Sequence, residues 1–149
     1  MNKIVPNDNL SKHDCPLAVI KCVDFRFREA DQEFIASGLG FKDFDLYAWP
    51  GAGKEILNGN GFKKTFVEKI VNVSINLHHI KKLLLLWHHD CGAYGGSKNF
   101  ASAVAEEETY QKDLRAAKDM LAAELPAELE IIMAYSKTAP QGLEYVVIE

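Results

Sequence analysis

The sequence predicts an α/β protein in which a mainly parallel sheet is flanked by helices. Short apolar, β-branched segments alternate along the chain with longer segments of helical periodicity, without an internal repeat. Strands that alternate with helices form parallel sheets through right-handed crossovers. The length of 149 residues suits one domain with one hydrophobic core. We therefore expect residues 1–149 to form a single domain, with residues 1–15 as an irregular N-terminal arm.

The first half of the chain supplies two predicted strands and two predicted helices. Residues 17–24 are apolar with little alternation, which is typical of a strand buried on both faces. Residues 28–37 form a short helix, and residues 44–49 form the second strand. Residues 61–79 form a longer helix. Its predicted inner face holds Phe66, Ile70, Val73 and Leu77, widened by Val67 and Val71.

The second half supplies three further strands and one long helix. Residues 81–87 form the third strand, and residues 98–125 form a helix that Pro126 ends. Its predicted inner stripe holds Val104, Leu114, Leu121 and Leu125. Residues 129–136 form the fourth strand. Residues 143–149 form the fifth, at the C-terminal edge of the sheet.

Charge and hydropathy argue against nucleic acids and membranes as partners. The net charge is −4 and the pI is about 5.7, whereas nucleic acids and anionic membranes both favour a basic face. The longest apolar run, residues 83–87, is far too short to cross a bilayer. The first fourteen residues contain no apolar signal-peptide core. We therefore expect a cytoplasmic protein without nucleic-acid or membrane partners.

Candidate metal ligands follow the first and third predicted strands. Cys22 lies at the end of the first strand, and His88 and Cys91 follow the third. The carboxyl ends of parallel strands meet at one edge of a sheet, where ligands of such sheets bind. Thiolate and imidazole groups are preferred zinc ligands, and a site with three protein ligands leaves a fourth position for water. The sequence therefore predicts a catalytic type of zinc site at Cys22, His88 and Cys91.

Asp24 and Arg26 are predicted to form an ion pair beside this site. In a strand, residues 22, 24 and 26 point to the same face. The Arg26 guanidinium can hold the Asp24 carboxylate through two hydrogen bonds and keep it ionised. Asp24 could then orient a water molecule on the zinc. Alternatively, it could move onto the zinc as a fourth ligand and close the site.

The pattern Cys22-x-Asp24-x-Arg26, followed by His88-x-x-Cys91, resembles the signature of the beta-class carbonic anhydrases. The resemblance implies that the two cysteines and the histidine bind one Zn²⁺ ion per chain. It implies that Asp24 and Arg26 are catalytic and support the zinc-bound hydroxide. The reaction would be the reversible hydration of carbon dioxide to bicarbonate. The resemblance also implies a homodimer or a higher even oligomer.

Three residues depart from the family pattern and leave two other functions open. Phe25, Trp87 and Lys54 stand where the family usually has a small residue, glycine and asparagine. Because Phe25 and Trp87 would add bulk near the metal, the substrate could be another small electrophile, such as carbon disulfide or carbonyl sulfide. The protein could also be a non-catalytic zinc-binding relative that Asp24 closes.

The remaining histidine, aspartate and cysteine near these motifs receive simpler interpretations. His89 and Asp90 separate the two ligands of the third strand, and we expect them to act as spacers or as supporting residues. Cys15 precedes the first strand, so we expect it at the opposite end of the sheet as an ordinary thiol.

Overall fold

The computed structural model describes residues 2–59 and 61–149, and a five-stranded sheet forms its centre. In chain order, the strands are β1 (Leu17–Lys21), β2 (Asp45–Ala48), β3 (Lys82–His88), β4 (Glu130–Ala139) and β5 (Gly142–Ile148). Across the sheet the order is β2-β1-β3-β4-β5. The four strands β1 to β4 run parallel, and β5 pairs antiparallel with β4. The predicted α/β class, with a parallel core and a C-terminal edge strand, is confirmed.

Helices connect the parallel strands, and several of them are short. The α-helices are α1 (Arg28–Glu33), α2 (Gly53–Leu57), α3 (Phe62–Lys69) and α4 (Ala103–Ala122). π-helical turns continue α1 at Phe34–Gly38 and α3 at Ile70–Ile75. A 3-10 turn follows β1, at Phe25–Phe27, and two more follow β3, at Gly92–Tyr94 and Ser97–Asn99. The sequence did not predict α2, because five residues are too few to show a helical repeat. Within residues 2–59 and 61–149, no helix has the length and apolar character needed to cross a membrane.

Both faces of the sheet are buried along its central strands. Ala18 and Leu85 pack on the face covered by α3 and α4, whereas Val19 and Leu84 pack on the face covered by the π-helical turn that continues α1. All four side chains are fully buried. This two-sided burial explains why β1 and β3 read as continuous apolar runs rather than as alternating patterns.

The predicted inner face of the second helix is wrong at Leu77, which is 59% exposed. The prediction assumed a regular α-helix through residue 79. Instead, α3 passes at Ile70 into a π-helical turn, which holds more residues per turn and rotates the following side chains. Ser74 therefore takes the buried position, and Leu77 faces outward.

The predicted stripe of the long helix is wrong at Val104, which is 62% exposed. α4 begins at Ala103 rather than at residue 98, and the Ser102 hydroxyl caps it by accepting a hydrogen bond from the Ala105 amide at 3.1 Å. The buried side chains of α4 are Glu106, Tyr110, Leu114, Ala117 and Leu121. A charged residue thus occupies the first buried position of the stripe.

The strand register brings the ends of β1, β2 and β3 to the same edge of the sheet. Lys21, the last residue of β1, pairs with Ala48 on β2 and with Leu86 on β3. Cys22 follows Lys21 directly, and His88 is the last residue of β3. Their positions along the sheet therefore differ by about one residue.

Trp87 packs against the start of α2. Its indole ring lies so close to Gly53 that a Cβ atom there would be 1.7 Å from Trp87 Cη2. The indole N–H donates a hydrogen bond to the Tyr94 hydroxyl at 2.9 Å, and that hydroxyl donates to Asp113 at 2.8 Å. The large side chain on β3 is therefore accommodated by the absence of a side chain at Gly53.

This contact predicts that Gly53→Ala and Trp87→Phe are coupled in their effect on stability. Alone, Gly53→Ala should lower the free energy of unfolding by about 1–3 kcal/mol, because the added methyl group overpacks the core. In a Trp87→Phe background the same change should cost less than half as much, because phenylalanine lacks the ring atoms that clash. Urea unfolding of the four proteins measures this coupling.

Gly92→Ala serves as the control, since a Cβ atom at Gly92 meets nothing within 4 Å. Its cost should stay within about 0.5 kcal/mol. Equal costs of Gly53→Ala in both backgrounds would show that the tryptophan ring does not set the requirement for glycine.

Candidate metal centre

Cys22, His88 and Cys91 come together at the carboxyl edge of the sheet. One ligand atom from each of the three side chains lies within 4.8 Å of the others. All three residues are buried, so their donor atoms are shielded from bulk water. The three side chains predicted from the sequence as metal ligands thus form one compact cluster that could hold a metal ion.

The His88 imidazole is oriented as a metal ligand requires. Its Nδ1 lies 2.8 Å from the His89 carbonyl oxygen, and because a carbonyl only accepts, Nδ1 carries the proton. The Phe27 ring packs on the imidazole with 4.1 Å between the ring centroids. Nε2 therefore presents a lone pair, and it is buried without a hydrogen-bond partner among the residues that the structure describes. A metal ion would satisfy this atom.

The two thiols of the cluster influence each other's pKa. Hydrogen bonding from Cys91 lowers the pKa of the Cys22 thiol, while the same contact and burial raise the pKa of Cys91. The Gly51 amide also points at the Cys22 sulfur, at 3.4 Å. A lowered thiol pKa favours the thiolate, which is the form of cysteine that binds a metal cation. With the imidazole, this donor set fits a zinc-type metal ion.

The loop after β2 closes over the turn that follows Cys91. Gly51 has a φ of 70°, and a Cβ atom there would be 2.5 Å from the Ala93 Cβ. Lys54 donates a hydrogen bond from Nζ to the Ala93 carbonyl at 2.6 Å and lies 4.5 Å from the Tyr94 ring centroid. Lys54 therefore fastens the β2 loop to the Cys91 turn.

Asp24 and Arg26 form the predicted ion pair beside the cluster. Arg26 donates from Nε to both carboxylate oxygens at 3.1 Å, from Nη2 at 2.7 Å and from its backbone amide at 3.0 Å. These contacts lower the pKa of Asp24 to about 2. Asp24 is not part of the three-residue cluster, and both its oxygens are held by Arg26.

Asp90 has a larger role than the sequence indicated. Its Oδ2 accepts a hydrogen bond from Arg26 Nη1 at 2.9 Å, its carbonyl accepts from Nη2 at 3.1 Å, and its Oδ1 accepts from the Ser97 amide at 2.9 Å. Asp90 adopts a φ of 53°, a left-handed conformation that non-glycine residues rarely adopt. The sequence signal for this contact was weak. Asp90 is a second carboxylate at the sheet edge where Arg26 lies, and a guanidinium has five N–H donors.

The two bulky residues that depart from the family pattern, Phe25 and Trp87, differ in their exposure to solvent. Phe25 is 84% exposed, and Trp87 is a core side chain packed against Gly53. His89 lines a cavity of about 440 Å³, and burial lowers its pKa. Cys15 lies in the irregular segment before β1, away from the cluster, and its thiol donates to the Leu17 carbonyl at 3.3 Å.

Comparisons with known proteins agree with this architecture. A family model described as "Putative carbonic anhydrase" matches residues 12–142. An uncharacterised protein of Rickettsia conorii is 28% identical over 131 residues, covering 82% of this chain and 68% of the relative. A second one, from Rickettsia bellii, is 29% identical over 114 residues, covering 72% of this chain and 68% of that protein.

A solved structure shows the same fold. The crystal structure of beta-carbonic anhydrase isoform I from Trichomonas vaginalis superposes with a TM-score of 0.56. The superposition covers 92% of this chain and 86% of that one, at 11% sequence identity. At this identity the likeness concerns the fold alone, whereas the family model spans most of the sequence. The chain therefore belongs to this carbonic anhydrase family and has the beta-carbonic anhydrase fold.

Proposed function

We propose that the protein is a zinc-dependent carbonic anhydrase that catalyses the reversible hydration of carbon dioxide to bicarbonate. The observation that carries this proposal is the buried cluster of Cys22, His88 and Cys91, with an unpartnered His88 Nε2 beside an ionised Asp24. These three side chains would hold the zinc, one ion per chain. Family membership supports the reaction class.

Asp24 and Arg26 would supply the catalytic groups of the chain. Zinc bound at the cluster would supply a Lewis acid that makes water nucleophilic near neutral pH. The Asp24 carboxylate, kept ionised by Arg26, would accept the O–H of the attacking oxygen and turn its lone pair toward carbon dioxide. Arg26 would hold Asp24 in place and prevent it from moving onto the metal.

The contacts of Asp24 favour this reading over a closed, non-catalytic zinc site. For Asp24 to become a fourth ligand, its carboxylate would have to give up hydrogen bonds to the Arg26 guanidinium. The alternative substrate, another small electrophile, was suggested because Phe25 and Trp87 would narrow the space near the metal. Trp87 packs in the same hydrophobic cluster as Cys22 and Cys91, so this alternative remains a prediction that the assay of carbon dioxide hydration tests.

We further propose that the chain is one zinc domain, is cytoplasmic, and assembles as a homodimer or higher even oligomer without nucleic-acid or membrane partners. The proposed self-association is supported by apolar side chains that stay exposed near the site and on the edge strand β2. These are Val23, Phe25, Leu46 and Trp49. Among the described residues, β2 pairs with β1 alone, so we propose its outer edge as a contact for another chain.

The proposed activity predicts that protein carrying one zinc ion per chain hydrates carbon dioxide in a stopped-flow assay. The rate should rise with pH through a transition near about pH 7, where water in zinc sites of this type ionises. A chelator should abolish the activity, and added zinc should restore it. Zinc-replete protein that is inactive between about pH 6 and 9 contradicts the proposed reaction.

The ligand assignment predicts that Cys91→Ala weakens zinc binding by at least about 100-fold, since it removes one of three protein ligands and leaves Cys22 without its partner. Cys15→Ala is the matched control, because Cys15 is a thiol outside the cluster and should leave zinc content unchanged. Metal analysis after competition with a chromophoric chelator measures both. A Cys91→Ala protein with full zinc content refutes the assignment.

The proposed role of Asp24 predicts that Asp24→Asn lowers kcat/KM about 100-fold or more, because the amide loses the charge that orients the attacking oxygen. Zinc affinity should not change, since Asp24 is outside the cluster. Asp43→Asn, at an exposed aspartate paired with Lys12, is the control. If Asp24 closed the site, Asp24→Asn would instead weaken zinc binding.

A further inference from the structure

The first two turns of α4 contact the loop that carries Asp90 and Cys91. Glu106 is 5% exposed and Tyr110 is 1% exposed, and they lie four residues apart on the same helix face. Both side chains point toward the loop, although the following buried positions of α4 are apolar. The long helix therefore presents a polar end to the candidate metal centre.

Glu106 accepts three short hydrogen bonds, and two of them come from the loop. Its Oε1 accepts from the Asp90 amide and from the Tyr110 hydroxyl, both at 2.7 Å. Its Oε2 accepts from the Ser97 hydroxyl at 2.7 Å. Tyr110 extends the contact by one residue, because its hydroxyl oxygen accepts from the Cys91 amide at 3.5 Å. Two successive amides of the loop are thus bound by one helix.

The burial of Glu106 is costly, and its partners show what offsets the cost. A buried carboxylate is destabilising unless it is paired or fully hydrogen-bonded. Among the described residues, Glu106 forms no ion pair within 4.0 Å, and three hydrogen bonds offset the cost of burying its carboxylate. A core position that needed only packing would hold an apolar side chain, as Leu114 does on the same stripe.

The contacts continue from this loop to the proposed catalytic groups. Glu106 fixes the amide of Asp90, whose backbone is in the left-handed region with a φ of 53°. The Asp90 carboxylate then holds Arg26 at 2.9 Å, and Arg26 holds Asp24 at 2.7 Å. On the other side of Asp90, Tyr110 contacts the amide of Cys91.

We propose that Glu106 and Tyr110 are positioning residues that set the geometry of the metal centre through the backbone of Asp90 and Cys91. Their effect on metal binding depends only on the cluster being a metal site. Their effect on catalysis rests on the proposed function. The two effects can therefore be measured separately.

The test compares Glu106→Leu, Glu106→Gln and Tyr110→Phe. Glu106→Leu removes both acceptors. Glu106→Gln keeps one acceptor oxygen for the Asp90 amide and can donate to the Ser97 hydroxyl, so it should preserve the loop. Tyr110→Phe removes one hydroxyl and keeps the ring that packs edge-on against Tyr94. Glu107→Leu is the matched control, since Glu107 is on the same helical turn but contacts Tyr135 and Lys137 instead.

Zinc affinity by chelator competition is the first readout. Glu106→Leu and Tyr110→Phe should each weaken zinc binding about 10- to 100-fold, the usual loss for groups that orient metal ligands. Glu106→Gln should remain within about threefold, and Glu107→Leu should match the parent protein. Circular dichroism and thermal melting establish that each variant is folded. If Glu106→Leu does not fold, Tyr110→Phe and Glu106→Gln decide the question.

The absorption spectrum of the cobalt(II)-substituted protein is the second readout, because its d–d and thiolate bands report ligand geometry and not stability. Glu106→Leu and Tyr110→Phe should shift these bands, whereas Glu107→Leu should not. Folded Glu106→Leu and Tyr110→Phe proteins with parental zinc affinity and cobalt spectra overturn the inference. A Glu106→Gln protein as impaired as Glu106→Leu also overturns it.

Carbon dioxide hydration by zinc-saturated protein is the third readout. Glu106→Leu should lower kcat and change KM less. The reason is that Asp24 and Arg26, once displaced, would no longer orient the attacking oxygen. If the parent protein binds zinc but does not hydrate carbon dioxide, the proposed function fails. The metal-affinity and cobalt results then still decide the role of Glu106.

Discussion

The candidate site depends on the parallel pairing of β1 with β3. This pairing is buried on both faces, and its register joins Lys21 to Leu86. It is the reason that Cys22 and His88, which are far apart in the chain, reach the same edge of the sheet. A slip of one residue would turn every side chain of one strand to the other face. The hydrophobic core thus determines which side chains can bind a metal together.

Arg26 adds the second constraint, and its contribution is orientation rather than stability. Its side chain is 45% exposed, and exposed ion pairs contribute little to the free energy of folding. The guanidinium nevertheless contacts two carboxylates from separate loops, those of Asp24 and Asp90. These contacts lower the pKa of Asp24 and fix the direction of its carboxylate. A lysine could not make this set of directed contacts.

The strands, the three clustered side chains and the ion pair could be predicted from the sequence, because each has a local signature. Apolar runs mark β1 and β3, and the reactive side chains follow within a few residues. The role of Glu106 could not be predicted. It depends on where α4 begins, and the sequence predicted a start five residues too early. The predicted inner stripe therefore contained Val104 instead of Glu106. The exposure of Leu77 was equally hidden, since it follows from a π-helical turn that no residue pattern marks.

Two of the three departures from the family pattern, Trp87 and Lys54, each have a partner within the structure. The bulk of Trp87 is accommodated by Gly53, where any Cβ atom would collide with the indole ring. The ammonium group of Lys54 is used by the Ala93 carbonyl and the Tyr94 ring. Tyr94 itself accepts from Trp87, so both departures meet on one side chain. Lys54 fastens the β2 loop to the turn after Cys91, and Trp87 packs against Gly53 at the start of α2. A tightly held loop keeps the Gly51 amide directed at the Cys22 sulfur, and this contact favours the thiolate that a metal ion needs.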